Sequence, residues 1–394
     1  SLLGGMLLVA GSCIGAGMLA LPILTGLSGF FPSMAMLFLA WAAMTFTALL
    51  LVEVNGWFSG RVNLLSMAQK GLGKTGRLTA WISYLFLFYA LLVAYISASG
   101  SVFSAIFESI FHVVIPDWSA SVFFTFIFGW IIYLDTRPVD LVNRVLMFGL
   151  IVTYLSMIAI GFFSIHPDYL LHWAPSALFS SLPVLVISFG FHNLIPSLTA
   201  YMKGDLQRVR IIILGGSLIV LAIYVIWSLL VLGAIPYQGP NGILENYRQG
   251  NEATIALRRA LGSSWISYFA QGFAFFAIST SFLAQGLTLS HFLADGLNKT
   301  PSREVARWMI FLVLAPPLVF AMIYPKVFLQ ALSFAGGFCA MILFGVLPVL
   351  MVWIGRYRKR FHSPYQVAGG KLSLILGGIF SSLIIVFELL RVFG

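Results

Sequence analysis

The sequence predicts an all-α polytopic membrane protein that forms a single transmembrane domain over residues 1–394. Of its residues, 60% are hydrophobic and only 9% are charged, and the mean hydropathy is +1.00. A soluble domain does not have this composition. The apolar runs are long and lack the alternation of β-barrel strands, so helices are the structure that can satisfy the backbone in lipid.

Eleven segments are long enough to cross a membrane, since a helical span needs about 20 apolar residues. They lie at roughly residues 4–28, 31–55, 78–106, 119–135, 141–165, 176–200, 209–236, 264–294, 307–324, 327–354 and 372–392. Two connections are longer than the others. Residues 56–77 are polar and basic, and residues 237–262 are predicted to hold a turn and a short amphipathic helix from about Glu252, either a lid or a plain structured loop.

Lysine and arginine indicate the orientation of these spans. Seventeen of the 22 basic residues fall on one side of the membrane, and the other side holds Arg248, Arg258, Arg259, Lys326 and Arg391. The positive-inside rule then places the N-terminus in the cytoplasm and the C-terminus outside. This topology accounts for the net charge of +10, so we expect lipid around the helices and no nucleic acid partner.

The first and sixth spans are both interrupted by small residues. Span 1 carries GSCIGAG at residues 11–17, and span 6 carries SFGFHNLIPS at residues 188–197. A proline accompanies each stretch: Pro22 follows the first after a few residues, and Pro196 lies near the end of the second. One such motif alone usually marks close helix packing. Two in corresponding positions indicate the substrate site of an inverted-repeat transporter. We therefore predict two repeats, residues 1–165 and 176–354, and an additional helix at 372–392, with spans 1 and 6 unwound at mid-membrane.

A break of this kind exposes backbone groups that can bind a zwitterion. The N–H groups at the start of the second half-helix suit an anion, and the carbonyls at the end of the first suit a cation. In span 1 the freed N–H groups would belong to Gly15, Ala16 and Gly17, and the freed carbonyls to residues 11–14. In span 6, Ser188 and the carbonyls of residues 186–188 are candidates for an ammonium group.

Other functional classes have less support. No HExxH, GxSxG or Walker motif is found, so we do not expect an enzyme. Cys13 and Cys339 lie in apolar spans and form neither a disulfide framework nor a metal motif. A channel is the alternative from another class, because Ser281, Gln285 and Thr288 share one face of span 8, but a selectivity filter or charged ring is missing.

Eight stretches along nearly the whole chain carry a resemblance to a known family: GSCIGAGMLALP, LLVEV, AYISASG, DLVNR, ISFGFHNLIPSL with the following YM, ISTSFLAQGL, ADGL and YPKVF. They resemble the hydroxy/aromatic amino acid permeases, whose members include bacterial tyrosine-specific and tryptophan-specific permeases. At greater distance this family resembles the leucine-transporter (LeuT) fold of the amino acid, polyamine and organocation superfamily. The resemblance implies a LeuT-like 5+5 inverted repeat with an eleventh transmembrane helix.

The resemblance also implies a secondary transporter of the bacterial inner membrane that imports aromatic amino acids by alternating access. Tyrosine is the first expected substrate, followed by tryptophan or phenylalanine. Proton symport is expected, and a sodium-coupled or exchanging permease for another neutral amino acid is the alternative. We expect a monomer with no cofactor besides the coupling ion, H⁺ or Na⁺.

The binding residues follow from the resemblance by position. The substrate carboxylate would meet Gly15, Ala16 and Gly17, and the ammonium would meet the carbonyls near Cys13 and Ser188. Spans 6 and 3 would line the side-chain pocket through Phe189, Gly190, Phe191, His192, Tyr95 and Ser99. The last two are four residues apart and share a helix face.

Two aromatic residues of span 6 have open roles. Phe191 either gates the substrate or packs in the core. His192 could bind a substrate hydroxyl or indole N–H, titrate during proton coupling, or cap the broken helix.

The coupling ion is not decided by the residues. Proton-coupled members of the superfamily often carry a lysine in span 5, and Leu150 stands at the matching position. Thr280 and Ser281 of span 8 resemble a sodium-ligand pair, and with the carbonyls of Gly11 and Ile14 they would form an oxygen cage for Na⁺. Alternatively, both hydroxyls bond to neighbouring helices.

Two carboxylates lie within the spans, Glu53 and Glu388. A carboxylate in the membrane is costly unless it is paired. We expect Glu53, at the cytoplasmic end of span 2, to bind a cytoplasmic arginine or to act as a proton site in coupling. Glu388 is expected at the surface or at an interface.

Overall fold

The computed structural model describes residues 1–58, 60, 62–134, 136–262, 264–296 and 303–393. This part of the chain is helical and holds no strand. The helices are α1 Leu2–Cys13, α2 Ala16–Gly26, α3 Phe30–Asn55, α4 Leu64–Phe111, α5 Asp117–Tyr133, α6 Thr136–Gly161, α7 Leu178–Ser188, α8 Ile195–Tyr201, α9 Leu206–Ala234, α10 Ile243–Arg248, α11 Ala253–Leu261, α12 Ser264–Gly296, α13 Arg303–Ile323, α14 Phe328–Phe334, α15 Leu347–Tyr357 and α16 Gly370–Phe393. Arg61 and Lys299, two of the basic residues assigned to the cytoplasmic side, lie outside the described residues.

Each predicted span falls on helical structure. Among the described residues, eight helical segments are long and apolar enough to cross a membrane, and the bent pair of α1 and α2 would be a ninth. The predicted spans at 119–135 and 307–324 fall on shorter apolar helices, Asp117–Tyr133 and Trp308–Ile323. The chain is therefore a multi-pass membrane protein.

The two long connections contain helices. α4 begins at Leu64, within the polar segment 56–77, and its two parts meet at a kink where Gly73 has a φ of +77°. The predicted amphipathic helix in the second connection is confirmed as α11. The Glu252 carboxylate caps it by accepting hydrogen bonds from the N–H groups of Thr254 and Ile255, at 2.6 and 3.0 Å. Burial raises the pKa of Glu252 above its ordinary value.

Span 10 departs from α-helical geometry. Its middle, Ala335–Val346, is a π-helix that joins α14 to α15. This segment packs so closely on α7 that a Cβ added to Gly336 would lie 1.8 Å from the carbonyl oxygen of Pro183. Only glycine permits such an approach. Because π-helical geometry is rare and often occurs at functional sites, span 10 is expected to have more than a packing role.

Both carboxylates predicted within the spans are buried. Glu53 binds Arg356 of α15, with 2.6 Å from its Oε1 to Nε of the arginine, and its Oε2 accepts a hydrogen bond from the Val367 N–H at 2.9 Å. The expectation of an arginine partner is thereby confirmed. The expectation for Glu388 was wrong, since this residue is 1% exposed and its carboxylate pairs with Arg391 one helical turn later.

Continuous helices hold the two broken spans in place. α1 packs along α9, α2 packs against α7, and α12 contacts both α4 and α6. This arrangement brings the two interruptions together in the middle of the bundle, with α9 behind them.

Candidate functional site

The interruption in span 1 is a two-residue break between α1 and α2, whose axes differ by 61°. Ile14 and Gly15 have extended backbone conformations there. Gly15 offers no side chain to cap α2; instead the Ala16 N–H donates a hydrogen bond to the Ser281 hydroxyl of α12 at 3.0 Å. Within the described part of the chain, the N–H groups of Gly15 and Gly17 have no hydrogen-bond acceptor. Two of the three predicted donors are thus free in this structure, and the third, the Ala16 N–H, is bonded to Ser281.

The interruption in span 6 is longer. α7 ends at Ser188, Phe189 and Gly190 leave the helical path, and a 3₁₀ turn over Phe191–Leu194 leads into α8. The Ser188 side chain bonds to the Val184 carbonyl of its own helix at 2.7 Å. A Cβ added to Gly17 of span 1 would lie 3.4 Å from the Ser188 hydroxyl oxygen, so the two breaks are in contact.

Tyr224 of α9 joins the two breaks. Its hydroxyl lies 2.7 Å from the Cys13 carbonyl oxygen and 2.8 Å from the Ser188 carbonyl oxygen. One turn later on the same face, the Trp227 indole N–H donates to the Met18 carbonyl at 2.8 Å. Neither residue could be identified from the sequence, because span 7 is an unbroken apolar helix with no local signal of a site.

A cavity of about 360 Å³ opens at the breaks. This volume lies within the usual range of small-ligand sites. It gathers residues from spans 1, 3, 6 and 8 that the sequence analysis had placed in a substrate or ion site. They are Gly11, Cys13, Ile14, Gly15, Ala16, Gly17, Tyr95, Ser188, Gly190, Phe191, Thr280 and Ser281. Its apolar wall is completed by residues that the sequence analysis did not identify, among them Leu87, Leu91 and Phe344.

Three predicted pocket residues do not line this cavity. Ser99 is fully buried one turn beyond Tyr95, and its hydroxyl bonds to the Ile96 carbonyl of α4 at 2.8 Å. The Phe189 ring packs against the Tyr224 ring, with 5.3 Å between centroids. Both residues therefore serve packing in this structure, and the prediction that they face the pocket was wrong.

His192 is the third of these residues and points away from the cavity. Its Nε2 lies 3.0 Å from the Thr47 hydroxyl of α3, and its ring stacks on Phe344 at 4.7 Å between centroids. The Thr47 hydroxyl donates to the Met44 carbonyl, so its oxygen accepts the hydrogen bond from the Nε2–H of His192. Among the described residues Nδ1 has no hydrogen-bond partner. The imidazole thus fixes span 6 to span 2 behind the Phe344 ring.

The four predicted cage residues, Gly11, Ile14, Thr280 and Ser281, all line the cavity. The Thr280 hydroxyl donates to the carbonyls of its own helix at Phe276 and Ala277, at 2.8 and 3.1 Å, which leaves its oxygen lone pairs available. Ser281 accepts from the Ala16 N–H. No cluster of three histidine, cysteine, aspartate or glutamate side chains occurs in the described ranges, so an ion here would bind to neutral oxygens.

Polar groups extend the cavity toward the end of the bundle that carries the N-terminus. Asn143 of α6, Asn193 after the span 6 break, and Gln285 and Thr288 in the second half of α12 line this part. Because successive spans run in opposite directions, all four positions lie between the breaks and the end of the bundle that carries the chain's N-terminus. At the other side, α10 and α11 pack on α2.

Comparison with known proteins agrees with this geometry. A family model described as the tryptophan/tyrosine permease family matches residues 1–388. The tyrosine-specific transport system 1 of Haemophilus influenzae is 36% identical over 356 residues, which cover 90% of this chain and 88% of that protein. The tryptophan-specific transport protein of Shigella flexneri is 31% identical over 364 residues, with 91% and 87% covered. The low affinity tryptophan permease of Escherichia coli K12 is 27% identical over 362 residues, with 88% and 85% covered.

Proposed function

Because the chain belongs to the tryptophan/tyrosine permease family, we propose that it is a secondary transporter that imports aromatic L-amino acids across a bacterial inner membrane by alternating access. Tyrosine is the first candidate substrate, since the relative at 36% identity is named for tyrosine. The observation that carries the proposal is the meeting of two broken helices at one cavity, whose walls combine backbone groups with aromatic side chains.

The cavity offers distinct partners to the two charged groups of an amino acid. The free N–H groups of Gly15 and Gly17 begin α2, where a helix N-terminus favours a carboxylate. The carbonyls of Cys13 and Ser188 end α1 and α7, where partial negative charge favours an ammonium. A ligand that bridges the two breaks therefore needs an amino and a carboxyl group close together.

The substrate side chain would lie along the apolar wall. Tyr95, Phe191 and Phe344 supply aromatic surface there, and Leu87 and Leu91 supply aliphatic surface. Aromatic rings bury large areas and pack favourably against one another, which supports a tyrosine, tryptophan or phenylalanine side chain over a small one.

We further propose that this structure represents the inward-open state and that uptake is coupled to protons. The cavity opens toward the N-terminal end, which the distribution of basic residues assigns to the cytoplasm. Sodium coupling is the second candidate, because Gly11, Ile14, Thr280 and Ser281 all reach the cavity and offer only oxygens. The uptake experiment described next distinguishes proton coupling from sodium coupling.

The test is uptake of radiolabelled tyrosine and tryptophan into proteoliposomes, with pH and sodium gradients imposed separately. We expect saturable uptake driven by an inward proton gradient, mutual competition between the two substrates, and counterflow, which a channel does not produce. Uptake driven by a sodium gradient alone would replace proton coupling with sodium coupling. Absence of uptake and of competition for both amino acids would refute the substrate proposal.

A further inference from the structure

Tyr224 places a third oxygen at the point where the two breaks meet. Its side chain is fully buried, and its hydroxyl contacts the carbonyl that ends α1 and the carbonyl that ends α7, at 2.7 and 2.8 Å. Both distances are those of good O–H···O hydrogen bonds. The two carbonyls belong to Cys13 and Ser188, the groups assigned above to the substrate ammonium.

This arrangement has one hydrogen-bond donor too few. A tyrosine hydroxyl carries a single proton, so it can donate fully to one carbonyl at a time. The other close pair of oxygens then has no proton between them, and lone pairs face each other in a buried environment where unsatisfied polar groups are costly. Cys13 and Ser188 both line the cavity, so a positively charged N–H donor that enters it would satisfy the second carbonyl.

The hydroxyl cannot easily move away from these carbonyls. The Tyr224 ring packs edge to face on Phe189, and α9 is further tied to span 1 through the Trp227 bond to Met18. The three oxygens are consequently held at short separations before any ligand enters, and this preorganisation favours binding of the group that they fit.

We propose that Tyr224 is a positioning and specificity-determining residue, which makes the junction of the two breaks selective for substrates that carry a protonated α-amino group. The inference rests on the proposed function, because it assumes that an amino acid occupies the cavity. It adds to that proposal a residue of span 7, which is not part of the cavity lining, and a chemical criterion for selection.

The test compares Tyr224→Phe with Trp227→Phe, a matched control on the same face of α9 that removes a bond to span 1 alone. Competition against labelled tyrosine uptake is measured with unlabelled tyrosine and with 3-(4-hydroxyphenyl)propionate, which lacks the amino group. In Tyr224→Phe the hydroxyl no longer holds the two carbonyls together, and the apparent affinity for tyrosine should fall about tenfold, which corresponds to about 1.4 kcal/mol. Affinity for the deaminated acid should stay the same, and Trp227→Phe should not change the ratio of the two affinities.

Each other outcome has a defined meaning. An unchanged or higher affinity of Tyr224→Phe for tyrosine overturns the inference, and so does a wild-type protein that binds the deaminated acid as well as tyrosine. If Tyr224→Phe does not fold, as judged by its thermal unfolding in detergent, Tyr224→Met replaces it, because it also removes the hydroxyl and keeps an apolar side chain; the same selective loss of affinity for tyrosine is expected, and an unchanged affinity overturns the inference. Wild-type protein that takes up neither tyrosine nor tryptophan refutes the proposed function instead, so the two failures are distinguishable.

Discussion

Substitution of Gly15 by alanine tests how the break in span 1 is held. The backbone of Gly15 is extended, with φ −175° and ψ −152°, so alanine is not disfavoured by the backbone. Its Cβ, however, would lie 2.4 Å from the Ser281 hydroxyl oxygen, which accepts the hydrogen bond from the Ala16 N–H. The hydroxyl must move away, and the N–H at the start of α2 loses its partner.

The size of this effect follows from the lost hydrogen bond. A buried donor without an acceptor costs about 1–3 kcal/mol, so Gly15→Ala should destabilise the protein by roughly that amount. Ser281→Ala removes the same acceptor and should cost a similar amount. In the double variant the two Cβ atoms would be 3.7 Å apart, an ordinary contact, and the N–H is left unpaired only once. The double variant should therefore be about as stable as either single variant, which corresponds to a coupling energy of about 1–3 kcal/mol.

The assay is thermal unfolding of the four proteins of this cycle in detergent, together with the apparent affinity for tyrosine. Gly11→Ala is the matched control, because a Cβ there would meet only the flexible end of Met147, at 3.7 Å. We expect this control to unfold at the same temperature as the wild type. Additive losses in Gly15→Ala/Ser281→Ala would show that the two residues act independently and would refute the reasoning.

Three further predictions concern the cavity and the ion pair. Gly17→Val should abolish tyrosine binding in a folded protein. A Cβ at this position would lie 3.4 Å from the Ser188 hydroxyl oxygen, and the two methyl groups of valine would enter the space assigned to the substrate carboxylate. A rise in the thermal midpoint of the variant on addition of tyrosine would contradict this. Glu53→Gln and Arg356→Met should each lower the free energy of unfolding by about 3–5 kcal/mol, because each leaves one buried charge without its partner. The double variant leaves no unpaired charge and should lose much less than the sum of the two. Additive losses in thermal unfolding would contradict this. The last prediction uses protein whose native cysteines are replaced by serine. Ser12→Cys, in the cavity lining, should react with a maleimide, and tyrosine should slow this reaction, whereas Ser99→Cys, at a fully buried position, should not react. Labelling of Ser12→Cys at the same rate with and without tyrosine would show that Ser12 does not lie on the substrate pathway.

The interruptions of spans 1 and 6 could be predicted because their cause is local. Glycine and proline weaken a helix wherever it lies, so GSCIGAG and SFGFHNLIPS indicate the breaks without knowledge of the surrounding helices. The cavity residues contributed by these breaks follow for the same reason. Their backbone groups are exposed by the break itself, whichever helices pack around it.

Some side-chain positions could not be predicted because they are set by tertiary contacts and not by the local sequence. Tyr95 and Ser99 share a helix face, but four residues advance an α-helix by about 6 Å, and this step carries Ser99 past the cavity. His192 lies in the break, yet its direction is set by Thr47 on a different span. Tyr224 has no sequence signal at all, because its role arises only when α9 passes behind both breaks.

The position of a second cavity favours alternating access over a continuous pore. This cavity, of about 290 Å³, lies on the far side of the breaks and includes Ser97 of α4 and Phe328 of α14 in its walls. The first cavity reaches Tyr95 on α4 and Leu332 on α14, and the two share no lining residue. On α14 the separation is four residues, or about 6 Å along a helix. On α4 the two linings are two residues apart, at Tyr95 and Ser97. A thin barrier thus separates the two cavities in this structure, as the proposed alternating access requires and a continuous pore does not.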